Sequence, residues 1–191
     1  DQMICDAIER SYDITWEQCE DVWFDEEAKL PKFGTPTDSA FNQLARRVKK
    51  ALIDENLHTS PEYIERAKME LDDIKFLGFE NYFLTMTKVF DLASQSTIIG
   101  PGRGSGAGSL VNYLLGITTT DPIKYGLLWE RFLHRAKAGW PDIDTDAGDR
   151  DVLIDASREL FGEEAVVPVS NFNTLKLKSL IKDVSKFYGI D

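Results

Sequence analysis

Apolar residues recur along the first half of the chain at spacings of three and four, the signature of amphipathic helices. Residues 4–20 read as one helix, and 30–36 (LPKFGTP) as an extended linker punctuated by Pro and Gly. Thr37 or Asp38 is then expected to cap a helix with Phe41, Leu44, Val48 and Leu52 on one face. Ser60-Pro61-Glu62 combines a cap residue, a proline at the first helical position and an acid. The helix it opens aligns Ile64, Ala67, Leu71, Ile74 and Leu77 and stops at Gly78. Another helix is expected over 80–95. These stripes read as packing surface.

The pattern changes at Thr97-Ile98-Ile99, a β-branched run that predicts a short strand. A Gly-rich run follows, then a helix from Ala107 to Leu115 ended by Gly116, and a turn at Asp121-Pro122. Residues 127–134 fit helix or strand equally. Strands are expected over 140–145 and 165–169, and helices over 149–161 and 174–188. The summed expectation is an α+β fold, with a small sheet beneath the Gly-rich loop and the acidic segment that follows it.

The 191 residues suit one large domain or a domain with a helical annex, and 42% hydrophobic content supplies a core. No apolar run is long enough to span a membrane. No basic-then-apolar signal pattern opens the chain, which begins at Asp1 rather than Met, so further sequence upstream is expected. Cys5 and Cys19 lack CxxC spacing and read as reduced thiols of a cytoplasmic protein. His58 and His134 belong to no Cys/His cluster, which argues against structural zinc. The net charge of −11 opposes nucleic-acid binding by the chain as a whole. The charge is uneven, however: Lys176, Lys178, Lys182 and Lys186 fall at helical spacing near the end. A solvated helix face explains them as well as a phosphate-binding one.

Two segments carry chemistry. Between Gly100 and Ser109, five glycines occur in nine residues, which suits neither strand nor helix interior. Such a loop turns tightly and brings backbone N–H groups close to an anion, with the N-terminus of the next helix facing the same way. Arg103 offers a charged fork and Ser105 a hydroxyl. A Walker A loop would need a Lys that is absent, a dinucleotide fold would need a convincing βαβ unit, and plain packing of a turn stays open.

The second segment is Pro141-Asp142-Ile143-Asp144-Thr145-Asp146. In extended backbone its three carboxylates share a face, which is costly without a cation. Oxygen-only donors suit Mg²⁺, and two such ions support phosphoryl transfer. A solvated acidic loop is the plain alternative. A calcium loop of the EF-hand type fails, since its sixth and twelfth positions are Ala147 and Leu153.

IIGPGRGSGAGSLVNYLLGITTTDPIKYGLLWERFL followed by PDIDTD resembles the palm of bacterial replicative DNA polymerases of the C family, the DNA polymerase III alpha type. The likeness reaches back through MELDDIKFLGFENYFL and forward through NFNTLKLKSLIKDV. It implies a polymerase beta-like nucleotidyltransferase palm: a helical approach over 1–96, a palm core over 97–170 and the start of a thumb over 171–191. It implies Gly104 and Ser105, with Arg103, as the nucleotide triphosphate loop. Asp142 and Asp144 would be the catalytic pair holding two Mg²⁺ ions, and Arg131 a catalytic contact to the incoming nucleotide. Lys178 and Lys182 would contact nucleic acid. The implied partners are a dNTP, primer-template DNA, the rest of the polymerase polypeptide and, through it, a sliding clamp.

The lack of a cysteine-rich insertion between Thr120 and Trp140 fits the plain alpha type. Two departures stand out: Phe172-Asn173-Thr174 where the family has Phe-Gly-Thr, and a shortened stretch over 147–151. The family's third carboxylate lies on a later strand, so a non-catalytic fragment or a split half active only with its partner is the competing reading. A small nucleotidyltransferase with a non-polymer acceptor is a third.

Overall fold

The computed structural model describes residues 2–17, 29–136, 139–170 and 176–189. The chain divides into two units, Asp1–Leu30 and Pro31–Asp191. The first carries helix α1 (Gln2–Glu17), whose Met3, Ile4, Ile8 and Tyr12 are exposed. Cys5 is a free, exposed thiol; Cys19 lies outside the described residues.

The second unit holds α2 (Ala40–Asp54), α3 (Pro61–Leu77), α4 (Glu80–Ala93), α5 (Leu110–Leu114), α6 (Arg150–Phe161) and α7 (Leu177–Phe187). Short 3₁₀ turns occur at Leu57–Thr59, Gly104–Gly108, Trp129–Arg131 and Glu163–Ala165. The cap of α2 is Ser39, whose Oγ accepts from Asn42 N at 3.2 Å. Thr37 and Asp38, the expected caps, lie before it. The Asp38 backbone closes a turn with Thr35, and its carboxylate pairs with Arg46, which holds it below the usual carboxylate value. α3 starts at Pro61 and ends on Gly78 at φ 74°, a left-handed stop that glycine adopts freely.

Leu44, Val48 and Leu52 of α2 meet Ala67 and Ile74 of α3, Phe83, Leu84 and Phe90 of α4, and Leu110, Val111 and Leu114 of α5. Each fully buried large side chain contributes roughly 1.5–3 kcal/mol of transfer free energy. Trp129 and Phe132 close this core from the 3₁₀ turn, with Phe132 edge-on to Phe83 at 6.2 Å. A second cluster joins α4 and α6 through Val89, Ala93 and Ala156, with Ile99 packed against both clusters.

The expected sheet is not found: among the described residues there is no strand. Residues 97–99 and the acidic segment meet in one isolated antiparallel bridge, Ile99 with Ala147. Two hydrogen bonds flank it, Gly100 N to Asp146 O at 2.7 Å and Gly148 N to Ile98 O at 2.9 Å. Pro101 follows at once and has no N–H to continue a ladder, and glycines weaken pairing on either side. Val167 and Val169, in the third expected strand, are exposed. The α+β expectation, with its polymerase beta-like mixed sheet, is therefore corrected to a helical fold. The expected helix over 107–115 is likewise divided, into the Gly104–Gly108 turn and the five-residue α5. The segment 127–134 carries only the short turn at Trp129–Arg131.

Candidate nucleotide site

The Gly-rich loop and the acidic segment lie side by side. Gly104 has φ 67°, and a Cβ there would collide with Asp144 Oδ2. A Cβ on Gly100 would lie 2.7 Å from Asp146 Cβ, and one on Gly106 would lie 3.9 Å from Ile143 Cα. Gly100 and Gly104 thus let the loop backbone settle against the acidic chain where side chains would hold it off, whereas at Gly106 the distance is that of ordinary contact. Gly102, at φ 83°, leaves the same kind of room for Thr118 on the other side.

The acidic segment is anchored by its apolar members. Pro141 and Ile143 are buried, Asp142 is exposed, and Asp144 and Asp146 are half-buried. This alternation is what extended backbone dictates. Trp140 packs at a tilt against Phe79 and Tyr82, with ring centroids 5.3 Å and 6.4 Å away. Burial pushes the Tyr82 hydroxyl pKa up; a hydrogen bond with the Ile143 backbone opposes this, and the nearby Asp142 charge adds to the rise. Arg103 Nε approaches Asp146 Oδ1 at 3.7 Å on the surface, a pairing worth only about 0–1 kcal/mol.

Asp142 and Asp144 are hard-oxygen donors, and Asp144 lies against the Gly-rich loop. That set fits Mg²⁺, which commonly takes one or two carboxylates and fills its remaining positions with water and substrate phosphate. Among the described residues no three or more His, Cys, Asp or Glu converge into a metal cage.

The first amides of α5 are not open to an anion, contrary to the expectation from the loop-helix order. They are taken by Glu70 of α3, which is fully buried. Glu70 Oε1 accepts from Leu110 N at 2.9 Å and Arg66 Nε at 2.7 Å; Oε2 accepts from Val111 N at 2.9 Å and Ser109 Oγ at 3.0 Å. Burial raises the Glu70 pKa, and the Val111 and Leu110 amides and Arg66 act against it. Arg66 also donates to Gly108 O at 2.9 Å and Leu127 O at 3.1 Å. Further along α3, Asp73 Oδ2 accepts from Trp129 Nε1 at 2.8 Å. At its start, Tyr63 donates to Asp121 Oδ2 at 2.6 Å.

Arg131 is exposed on the 3₁₀ turn behind Trp129. That turn adjoins the loop: a Cβ on Gly108 would lie 2.7 Å from Leu128 O, and one on Gly106 would lie 3.9 Å from Phe132 Cε2. Ser105 is half-buried on the loop. The structure thus sets Gly104 against Asp144 and Arg103 near Asp146, with Ser105 next along the loop, Asp142 exposed two residues before Asp144, and the turn bearing Arg131 alongside the loop. Lys178 and Lys182 are exposed on α7, none of whose residues is buried. Phe172-Asn173-Thr174 lies outside the described residues.

Residues 39–191 match the family described as the bacterial DNA polymerase III alpha NTPase domain. The chain belongs to that family. It is 37% identical over 182 residues to a DNA polymerase III subunit alpha of Staphylococcus aureus (strain COL), covering 94% of this chain and 17% of that protein. It is 40% identical over 169 residues to the subunit of the same name from Thermus aquaticus, covering 87% of this chain and 14% of that protein. This DNA polymerase III alpha relative therefore spans about a sixth of the length of the curated proteins it matches. Among its described residues no helix is long and apolar enough to cross a membrane.

Reading the sequence alone missed Tyr63, Arg66, Glu70 and Asp73. Their spacing of three, four and three marks a polar stripe along α3 beside the apolar one, and a charged stripe so placed was the available signal.

Proposed function

We propose that this chain forms the nucleotide-binding part of a DNA polymerase active centre, in which a primer 3′-hydroxyl attacks the α-phosphate of a dNTP and pyrophosphate leaves. The observation that carries the reading is the closure of Gly104 onto Asp144, which sets a loop suited to phosphate against carboxylates suited to cations. Arg103, Ser105 and the amides around Gly104 hold the β and γ phosphates. Asp142 and Asp144 hold two Mg²⁺ ions, which when bound supply charge neutralisation at the reacting phosphate and activation of the attacking hydroxyl. Arg131 offsets charge on the phosphates from the adjoining turn. Lys178 and Lys182 contact primer-template phosphates. Such catalysis rests on positioning and electrostatics.

Primer extension tests this, comparing the chain with Asp142→Ala plus Asp144→Ala in the presence of the remaining polymerase polypeptide. The double substitution abolishes extension while circular dichroism stays unchanged. Extension persisting in the double variant sinks the assignment.

A second reading is favoured by one observation: the chain spans only 17% and 14% of the polymerase subunits it matches. The 191 residues are then inactive alone and gain activity on addition of a partner polypeptide supplying a further carboxylate. Extension by the isolated chain would exclude it and make Asp146 the prime candidate for a third ligand.

A further inference from the structure

We infer that Glu70 is a positioning residue for the triphosphate loop, fixing its far end from beneath through Ser109, Leu110 and Val111. The inference rests on reading Gly100–Ser109 as the phosphate-binding loop.

The reasoning begins with α5. Five residues are too few to hold a helix by themselves, and its leading amides have no partner within the helix. Glu70 accepts from two of them, at Leu110 and Val111, and from the hydroxyl of Ser109, the cap residue of α5. Ser109 Oγ in turn accepts from Asn112 N at 3.1 Å, and Asn112 Nδ2 donates to Gly106 O at 3.0 Å. The chain of bonds therefore runs from Glu70 into the loop itself. Arg66 binds the same carboxylate and also Gly108 O and Leu127 O, which ties the loop's end to the segment leading to Arg131. With the helix terminus occupied internally, the amides left for substrate are those earlier in the loop, beside Arg103 and Ser105. Glu70 touches no substrate in this scheme and acts only through the backbone it holds.

The charge matters more than the size. Glu70→Gln keeps one carbonyl oxygen but turns an NH₂ group toward donors, leaving a buried clash of donors where an anion stood. Glu70→Asp keeps the anion and shortens its reach.

The test is calorimetric titration of the chain with dATP and with inorganic tripolyphosphate, both with Mg²⁺, well below the thermal midpoint of every variant. E70Q weakens both ligands by roughly tenfold or more, the loss expected when bonds to a charged group are removed. E70D weakens them less. Loss shared by tripolyphosphate locates the effect at the phosphate loop, and unchanged near-ultraviolet circular dichroism at that temperature separates it from general loosening. Affinity of folded E70Q within roughly twofold of wild type overturns the inference. Should E70Q fail to fold, Ser109→Ala carries the test, since it removes one Glu70 partner and the link to Asn112; unchanged affinity there overturns it equally. Arg103→Ala with Ser105→Ala is the companion variant. If that pair weakens tripolyphosphate and E70Q does not, only the role of Glu70 fails; if neither weakens it, the loop reading fails and takes the inference with it.

Discussion

Gly104 concentrates the site's demands in one residue. Its φ of 67° lies where side chains are strained, and the space where a Cβ would sit holds the Asp144 carboxylate. Gly104→Ala therefore incurs two costs at once. Left-handed backbone costs an L-residue roughly 1–2 kcal/mol, and the collision has to push the acidic segment off the loop. Alanine at this position is expected to lower the thermal midpoint modestly and to weaken Mg²⁺-dependent dATP binding severely. Gly116→Ala is the control, because it has a similar φ of 73° with no atom near its Cβ. A calorimetric comparison of the two variants separates backbone strain from loss of the site. Equal effects on dATP affinity would show that Gly104 matters only as a turn.

At the scale of elements, α3 is the frame on which the loop-bearing half is hung, and its first polar tie is open to titration. Tyr63 donates to Asp121 Oδ2, while Asp121 Oδ1 accepts from Ile123 N at 2.9 Å and Lys124 N at 3.1 Å. The hydrogen bond to Asp121, with burial second, pushes the Tyr63 hydroxyl from 10.0 up to about 12. A hydroxyl with a raised folded pKa favours the fold while neutral. Its contribution is complete below pH 10.0 and is lost as pH rises through about 12. Phenolate absorbance of the folded chain should therefore show late-titrating tyrosines, Tyr63 beside Tyr82 and Tyr113, and Tyr63→Phe should remove one tyrosine from that late phase. That variant should also lose about 1 kcal/mol near neutral pH by denaturant titration. Loss of amplitude only from the part of the curve that titrates near 10.0 would mean that the tie to Asp121 is not maintained in solution.

The same element shows what the sequence could and could not disclose. Ala67 and Ile74 belong to a stripe legible at spacings of three and four, as do Leu44, Val48 and Leu52, because amphipathic burial is a local pattern. Glycine density and alternating acids drew attention to Arg103, Gly104 and the Asp142–Asp144 pair, and of these the structure sets Gly104 against Asp144. The role of Glu70 was not legible, since its partners Ser109, Leu110 and Val111 lie about forty positions away and only tertiary packing brings them together. The sheet failed for a related reason. Thr97-Ile98-Ile99 has strand propensity, but a strand needs a ladder, and Pro101 and the glycines stop the ladder at one bridge.

For the molecule as a whole, the proposed contact with primer-template DNA has to be reconciled with a net charge of −11. Mean charge opposes the encounter, so the proposed binding would rest on local cations, and α7 carries one helical set of them. Lys178, Lys182 and Lys186 recur at four-residue spacing and are exposed. Leu177, Ile181 and Phe187 lie exposed on the same helix, so the helix offers apolar area as well as charge. If the lysines meet phosphates, each contact releases a condensed counterion, and the logarithm of affinity falls with the logarithm of salt by roughly 0.9 per contact on duplex DNA. Lys178→Glu with Lys182→Glu is therefore expected to weaken primer-template binding by the chain and to flatten its salt slope by about two such contacts. Triphosphate affinity, set at the Gly-rich loop, should not move. Fluorescence anisotropy across a salt series, paired with dATP titration, reads both. A slope equal to wild type would mean that these lysines face only solvent, and the counterion release would then have to be sought on another basic surface.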